Sequence, residues 1–134
     1  MFNFYSTAGL IFGNETSINS CSQIIDTLGK NIFVVSDRGL TELGLIEPTI
    51  KKLKKNCNIK IFNDVESDQS KKTLLNAFSD AREFESTGVL GFGGGSSMDV
   101  AKLVSLLLGS NQQIETIWGV NNAKGPRLPL VLIP

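Results

Sequence analysis

An alternation of short apolar runs with stretches of helical periodicity constrains the fold of this chain more than any other sequence feature. The apolar runs cover residues 31–37, 58–64, 88–93 and 128–133. The stretches with helical periodicity cover residues 16–28, 41–56, 70–86 and 96–108. Strands that alternate with helices favour a parallel sheet whose two faces are covered by the connecting helices. The pattern therefore predicts one α/β domain over residues 1–134, a Rossmann-like three-layer domain with a mainly parallel sheet.

A glycine-rich loop, "GFGGGSSMDVAK" at residues 91–102, follows the third predicted strand and opens a predicted helix. The backbone N–H groups at a helix N-terminus are unsatisfied and carry partial positive charge, so they attract phosphate. Glycines allow that backbone to approach an anion without interference from Cβ. A tight turn alone would need fewer glycines, so the loop favours a phosphate or pyrophosphate site. Ser96 or Ser97 is expected to cap the helix or to donate its hydroxyl to the ligand.

The loop does not have the spacing of the dinucleotide fingerprint GxGxxG. Counted from Gly91, the third glycine would fall at position 96, which is Ser96. In the usual arrangement the loop follows the first strand and an acidic residue comes about 20 residues later. Here the acidic strand end, Asp37, precedes the loop.

Asp37 allows two interpretations that the residue alone leaves open. A carboxylate at the end of a nucleotide-fold strand can accept hydrogen bonds from the ribose hydroxyls of adenosine and repel a 2′-phosphate. An aspartate before Gly39 is equally typical of a helix N-cap or an Asx-turn. The neighbouring Arg38 would instead accommodate a 2′-phosphate.

Asp99 follows Ser96 by three residues, a spacing that predicts a capping box in the first turn of the helix. Its negative charge would repel a pyrophosphate, so a functional role lies nearer the sugar or the nicotinamide end. Lys102 is placed either to pair with Asp99 or to remain solvated.

Composition excludes several functional classes. Histidine is absent, which excludes imidazole catalysis and imidazole-ligated metals within this chain. The 13 basic and 13 acidic residues balance, so neither nucleic acid nor a membrane surface is an expected partner. The cysteines, Cys21 and Cys57, suit buried thiols in a reducing cytoplasm. A binding domain is favoured over a complete catalyst.

Several segments resemble the iron-containing alcohol dehydrogenases. The segments "VLGFGGGSSMDVAKLVSLLLGS" and "IWGVNNAKGPRLPLVLIP" are similar to a GGGS-x-x-D-x-A-K motif and a later segment ending in LP-(apolar)3-IP. "VVSDRGL" looks like the family's strand-end Asp followed by a basic residue. "GLIFGNET" looks like its opening hairpin. "IFNDVESDQS" resembles F-D-x-V-x-P-N-P-T, with Asp68 in place of an asparagine that helps line the cofactor cleft.

The resemblance implies an NAD-preferring alcohol dehydrogenase, with NADP as the other candidate cofactor, that interconverts an alcohol and its aldehyde or ketone by hydride transfer. In the family, an all-helical C-terminal domain supplies an Asp and three His to a divalent metal, usually iron. Carried over by position, Asp37 would hold the adenosine ribose and Asp99 would lie near the nicotinamide half. Gly94, Gly95 and Ser96 would hold the pyrophosphate, and Asp68 would line the cleft.

The same resemblance implies that these residues are the N-terminal part of a longer, two-domain chain. The helical metal domain and the metal ligands are then expected outside residues 1–134, and this piece alone is expected to be inactive. The resemblance also implies a homo-oligomer, a dimer or larger. The alternatives are a stand-alone nucleotide- or phosphate-binding module, or a domain like those of dehydroquinate synthases or glycerol dehydrogenases.

Overall fold

The four strands form one parallel sheet, in a computed structural model that describes residues 9–66, 70–117 and 122–134. The strands are β1 (Asn31–Val35), β2 (Asn58–Phe62), β3 (Gly88–Phe92) and β4 (Leu130–Ile133). Their order is β2-β1-β3-β4, and every neighbouring pair is parallel. In the register of the sheet, Val35 lies opposite Phe62 on one side and Gly91 on the other. The predicted parallel sheet is confirmed.

Helices connect the strands, with bounds that differ in part from the predicted ones. They are α1 (Thr16–Asn19), α2 (Cys21–Leu28), α3 (Arg38–Glu42), α4 (Glu47–Leu53), α5 (Lys71–Glu83) and α6 (Gly95–Ser110), with a 3-10 turn at Ile114–Thr116. The prediction of one helix over residues 16–28 is wrong, because the chain breaks at Ser20 between α1 and α2. Residues 9–15 contain no strand, so the hairpin expected from "GLIFGNET" is not found among the described residues.

The prediction of one helix over residues 41–56 is also wrong. Pro48 lies in the first turn of α4, the helical position where its missing N–H costs nothing. Gly44, with φ at 70°, turns the chain between α3 and α4. Leu43 ends α3 and is 74% exposed.

Apolar residues cover both faces of the sheet, as the three-layer prediction requires. Alternate residues of β1 point to opposite faces, with Ile32 on one and Phe33 on the other, both fully buried. Helices α2 and α4 contribute to the cluster that contains Ile32. Helices α5 and α6 contribute to the cluster that contains Phe33.

The segment before β4 is fastened to α6 by two hydrogen bonds. The Ser105 hydroxyl donates to the Leu128 carbonyl at 2.7 Å, and the Leu128 N–H donates to the Ser105 carbonyl at 3.0 Å. A Cβ on Gly109 would lie 2.5 Å from the Arg127 carbonyl carbon, so the two segments touch backbone to backbone. This contact places β4 beside β3.

Both cysteines are free thiols. Cys21 is buried as predicted, whereas Cys57 is only partly buried. Burial raises the pKa of each thiol. Within the described residues, no helix combines the length and the apolar composition needed to cross a membrane.

Candidate functional site

The strand order creates a crevice between the carboxyl ends of β1 and β3. After β1 the chain leads to β2, on one side of β1. It then crosses back to form β3 on the other side of β1, and after β3 it leads to β4, away from β1. Ligands of open parallel sheets bind where connections leave neighbouring strands in opposite directions. The chain after β1 reaches Asp37, and the chain after β3 reaches the glycines at residues 93–95. Two of the predicted polar strand ends therefore meet at this point.

Gly93 brings the two strand ends into contact. Its φ is +138°, a conformation that side chains with a Cβ rarely adopt. A Cβ here would lie 2.9 Å from Leu40 Cδ1, 3.0 Å from Asp37 Oδ2 and 3.3 Å from Ser97 Oγ. Only glycine lets the start of α3 pack this closely against the loop.

Gly94 and Gly95 form an open platform at the start of α6. Both are exposed, and a Cβ on either would meet nothing within 4 Å. Gly94 is the N-cap and makes no side-chain cap hydrogen bond, and the first turn contains no acidic residue. The positive end of this 16-residue helix therefore faces the crevice with room for an anion.

The predicted cap of this helix is wrong. The helix begins at Gly95 rather than at Ser96, which makes Ser96 its second residue and leaves it half-buried. A capping box between Ser96 and Asp99 therefore does not form. Asp99 is exposed, in the second turn, and its Oδ1 lies 3.2 Å from Lys102 Nζ. Of the two predicted arrangements of Lys102, pairing with Asp99 is the one observed.

Asp37 caps α3 through one carboxylate oxygen. Its Oδ1 accepts a hydrogen bond from the Leu40 N–H at 2.9 Å, so the N-cap interpretation is confirmed. Its Oδ2 is the oxygen that lies beside Gly93. The half-buried carboxylate thus meets both the α3 turn and the glycine loop.

Arg38 and Asp64 form an ion pair across the ends of β1 and β2, with Arg38 Nη2 lying 2.5 Å from Asp64 Oδ1. Beside the pair, Asn63 Nδ2 donates to Thr41 Oγ1 at 3.1 Å and joins the end of β2 to α3. The pair borders a cleft of about 630 Å³. Its other lining residues are Phe62, Asn63, Val65, Glu66, Ser70, Lys72, Thr73 and Asn76. No feature of the sequence predicted that Asp64 pairs with Arg38.

Two features of the site were missed from sequence. Ser36, directly before Asp37, is fully buried, and its hydroxyl has no hydrogen-bond partner among the described residues. Gly91 makes room for close packing of α6 on the sheet, because its Cβ would lie 2.7 Å from Leu132 Cδ2 and 2.9 Å from Ala101 Cβ. The run of glycines predicted an anion site, and no local pattern predicted the packing role of Gly91. Asp68, a predicted cofactor contact, lies outside the described residues.

The described residues contain no group of three or more His, Cys, Asp or Glu side chains that could hold a metal ion. The side chains present therefore do not fit an iron site.

Comparison with known proteins identifies the family. A sequence model of the iron-containing alcohol dehydrogenases matches residues 8–134. The chain belongs to the iron-containing alcohol dehydrogenase family. The sulfoacetaldehyde reductase of Bilophila wadsworthia is 27% identical over 134 residues, which are 99% of this chain and 35% of that protein.

Solved structures of iron-containing alcohol dehydrogenases share the fold. The enzyme from Thermotoga maritima superimposes with a TM-score of 0.83 at 31% identity, over 100% of this chain and 38% of its own. The sulfoacetaldehyde reductase of Bifidobacterium kashiwanohense, solved in complex with NAD+, gives a TM-score of 0.81 at 18% identity. That match covers 100% of this chain and 36% of the reductase. The chain thus spans about a third of the length of the relatives it matches.

Proposed function

We propose that residues 1–134 are the dinucleotide-binding domain of an NAD-dependent alcohol dehydrogenase, with the cofactor seated in the crevice between β1 and β3. The observation that carries the proposal is the start of α6. Its N-cap has no side-chain hydrogen bond, its glycines are open, and it lies where the strand connections diverge. Family membership and the NAD+ complex of a structural relative support the same cofactor.

Gly94, Gly95 and Ser96 are the proposed pyrophosphate site. At the first turn of a helix the backbone N–H groups lack intrahelical acceptors, so they can donate to phosphate oxygens. The open space at both glycines allows the phosphates to approach the backbone directly. The absence of an acidic residue from the first turn of α6 avoids charge repulsion with the anion.

Asp37 is the proposed ribose contact. Its Oδ1 is committed to the Leu40 N–H, which fixes the orientation of the carboxylate. The other oxygen is then available to accept from a ribose hydroxyl. A 2′-phosphate at the same place would meet the negative charge, which favours NAD over NADP.

Asp99 and Asp68 are the other two proposed contacts of the same cofactor. Asp99 is one turn further along α6 than the platform, and its pairing with Lys102 reduces the repulsion that a bound pyrophosphate would meet. We place it towards the nicotinamide half. Asp68 is assigned to the cleft by its position in the family motif alone.

The proposed reaction interconverts an alcohol and its aldehyde or ketone, and NAD accepts or returns the hydride. The described residues bind and orient the cofactor but provide no iron ligands. We therefore propose that residues outside this chain hold the metal and most of the substrate, and that the 134-residue chain alone has no turnover.

Calorimetric titration of this chain with NAD+, NADP+ and ADP-ribose tests the proposal. NAD+ and ADP-ribose should bind, and NADP+ should bind more weakly. The variant Asp37→Asn keeps a good N-cap but removes the charge, so its preference for NAD+ over NADP+ should shrink. Asp26→Asn, an exposed change on α2, is the matched control and should leave the preference unaltered. Absence of binding by both NAD+ and ADP-ribose would contradict the proposed function.

A further inference from the structure

Arg38 directly follows Asp37, the proposed ribose contact, and its positive charge is paired with the carboxylate of Asp64. Its guanidinium meets Asp64 at 2.5 Å across the carboxyl ends of β1 and β2. An arginine near this position is the residue type that accommodates the 2′-phosphate of NADP, because its planar donors match phosphate oxygens. Asp64 occupies at least one of those donors and neutralises the charge.

One backbone and one side-chain hydrogen bond hold the segments of the two residues in place. The Ser36 N–H donates to the Phe62 carbonyl at 2.9 Å, which extends the β1–β2 pairing to the residues just before the ion pair. The bond from Asn63 to Thr41 then fastens α3 to the end of β2. Arg38 and Asp64 thus approach each other from adjoining, anchored segments.

Both side chains remain within reach of a ligand. Arg38 is 68% exposed and Asp64 is 62% exposed, and both line the 630 Å³ cleft. An exposed pair of this kind is weak enough to break and reform in solution. Asp64 therefore weakens the binding of an anion by Arg38 without blocking it completely.

We propose that Asp64 is a specificity residue of this site, which disfavours 2′-phosphorylated nucleotides by pairing with Arg38. The inference rests on the proposed function and extends it from Asp37 to a second carboxylate. The preference for NAD would then arise from two sources. Asp37 repels the 2′-phosphate, and Asp64 occupies the arginine that would otherwise bind it.

The test compares two small probes, adenosine 2′,5′-bisphosphate and 5′-AMP, which differ only in the 2′-phosphate. Their affinities for the 134-residue chain are measured by NMR chemical-shift titration. Asp64→Asn should bind the bisphosphate about two- to fivefold more tightly, the range expected when an exposed ion pair releases its arginine. The same variant should bind 5′-AMP with less than about twofold change, because 5′-AMP lacks the 2′-phosphate that the released arginine would contact.

Two further variants separate the pairing from a general change in charge. Glu66→Gln removes the same charge from the same cleft and should leave the ratio of the two affinities unchanged. In an Arg38→Gln background, Asp64→Asn should no longer improve binding of the bisphosphate. In the ligand-free chain, the Arg38 Nε–H resonance should shift in Asp64→Asn and stay in place in Glu66→Gln.

Several results would overturn the proposal. They are an equal gain for both probes, an equal gain in Glu66→Gln, or a gain from Asp64→Asn that persists without Arg38. A wild-type chain that binds NAD+ while Asp64→Asn leaves the probe ratio unchanged refutes the role of Asp64 and leaves the proposed function standing. A chain that binds neither probe nor NAD+ refutes the proposed function and this inference together.

Discussion

Replacement of Gly93 by alanine should destabilise the domain more than a methyl group added at Gly94 or Gly95. The residue is held at φ +138°, and the added Cβ would lie 2.9 Å from Leu40 Cδ1 and 3.0 Å from Asp37 Oδ2. A carboxylate oxygen that already shares its group with the cap of α3 has little freedom to withdraw.

Two costs make up the expected effect. Holding a residue other than glycine in a sparsely populated backbone region costs about 1–3 kcal/mol. Relieving the two close contacts adds about 1–3 kcal/mol, as in other overpacked positions. The free energy of unfolding should therefore fall by about 2–6 kcal/mol, a large part of the roughly 5–15 kcal/mol typical of whole domains.

Urea unfolding followed by far-UV circular dichroism measures this loss. With a denaturant slope of about 2 kcal/mol/M, the midpoint should move down by about 1–3 M. Gly95→Ala is the matched control, because position 95 is helical and open on the side where Cβ would lie. It should keep or gain up to about 1 kcal/mol of stability. It should also weaken NAD+ binding, because the methyl group covers the proposed pyrophosphate platform.

The reasoning fails if Gly93→Ala unfolds within about 0.5 kcal/mol of the wild type, the range of ordinary surface substitutions. It also fails if Gly95→Ala is destabilised as strongly as Gly93→Ala. In either case the close approach of α3 to the loop would not be what requires glycine at position 93.

Three other predictions concern different parts of the molecule. Asp37→Ala should lower the free energy of unfolding by about 1 kcal/mol in urea titrations, because α3 loses its N-cap hydrogen bond. Asp37→Asn should stay close to the wild type, and equal losses in the two variants would contradict the capping role. Ser105→Ala should lower the free energy of unfolding by about 1–2 kcal/mol in the same measurement, because the Leu128 carbonyl loses its hydrogen-bond donor. An unchanged free energy would show that water replaces the hydroxyl. Burial raises the pKa of the Cys57 thiol, an effect that the charge of Lys30 partly offsets, so the folded chain holds less thiolate at pH 8 than the urea-unfolded chain. Mass spectrometry of a Cys21→Ala variant should therefore show slower alkylation by iodoacetamide when folded, and equal rates would refute the shift.

Local patterns in the sequence predicted most of the architecture. Alternating apolar runs and helical periodicity depend on residues a few positions apart, so they specified the strands and the layer arrangement. The triple glycine predicted a loop at the start of a helix for the same reason. Pro48 carries the signal for the break between α3 and α4, whereas the prediction of one helix over residues 41–56 rested on apolar periodicity alone.

The sequence by itself therefore determined a parallel α/β domain with a glycine loop at the mouth of a helix. Only the tertiary structure decided the strand order, the start of α6 at Gly95 and the contact of Gly93 with Asp37. It also decided the pairing of Arg38 with Asp64, residues 26 positions apart. No local pattern encodes that contact, because it exists only once β1 and β2 are neighbours and their carboxyl ends lie at one edge of the sheet.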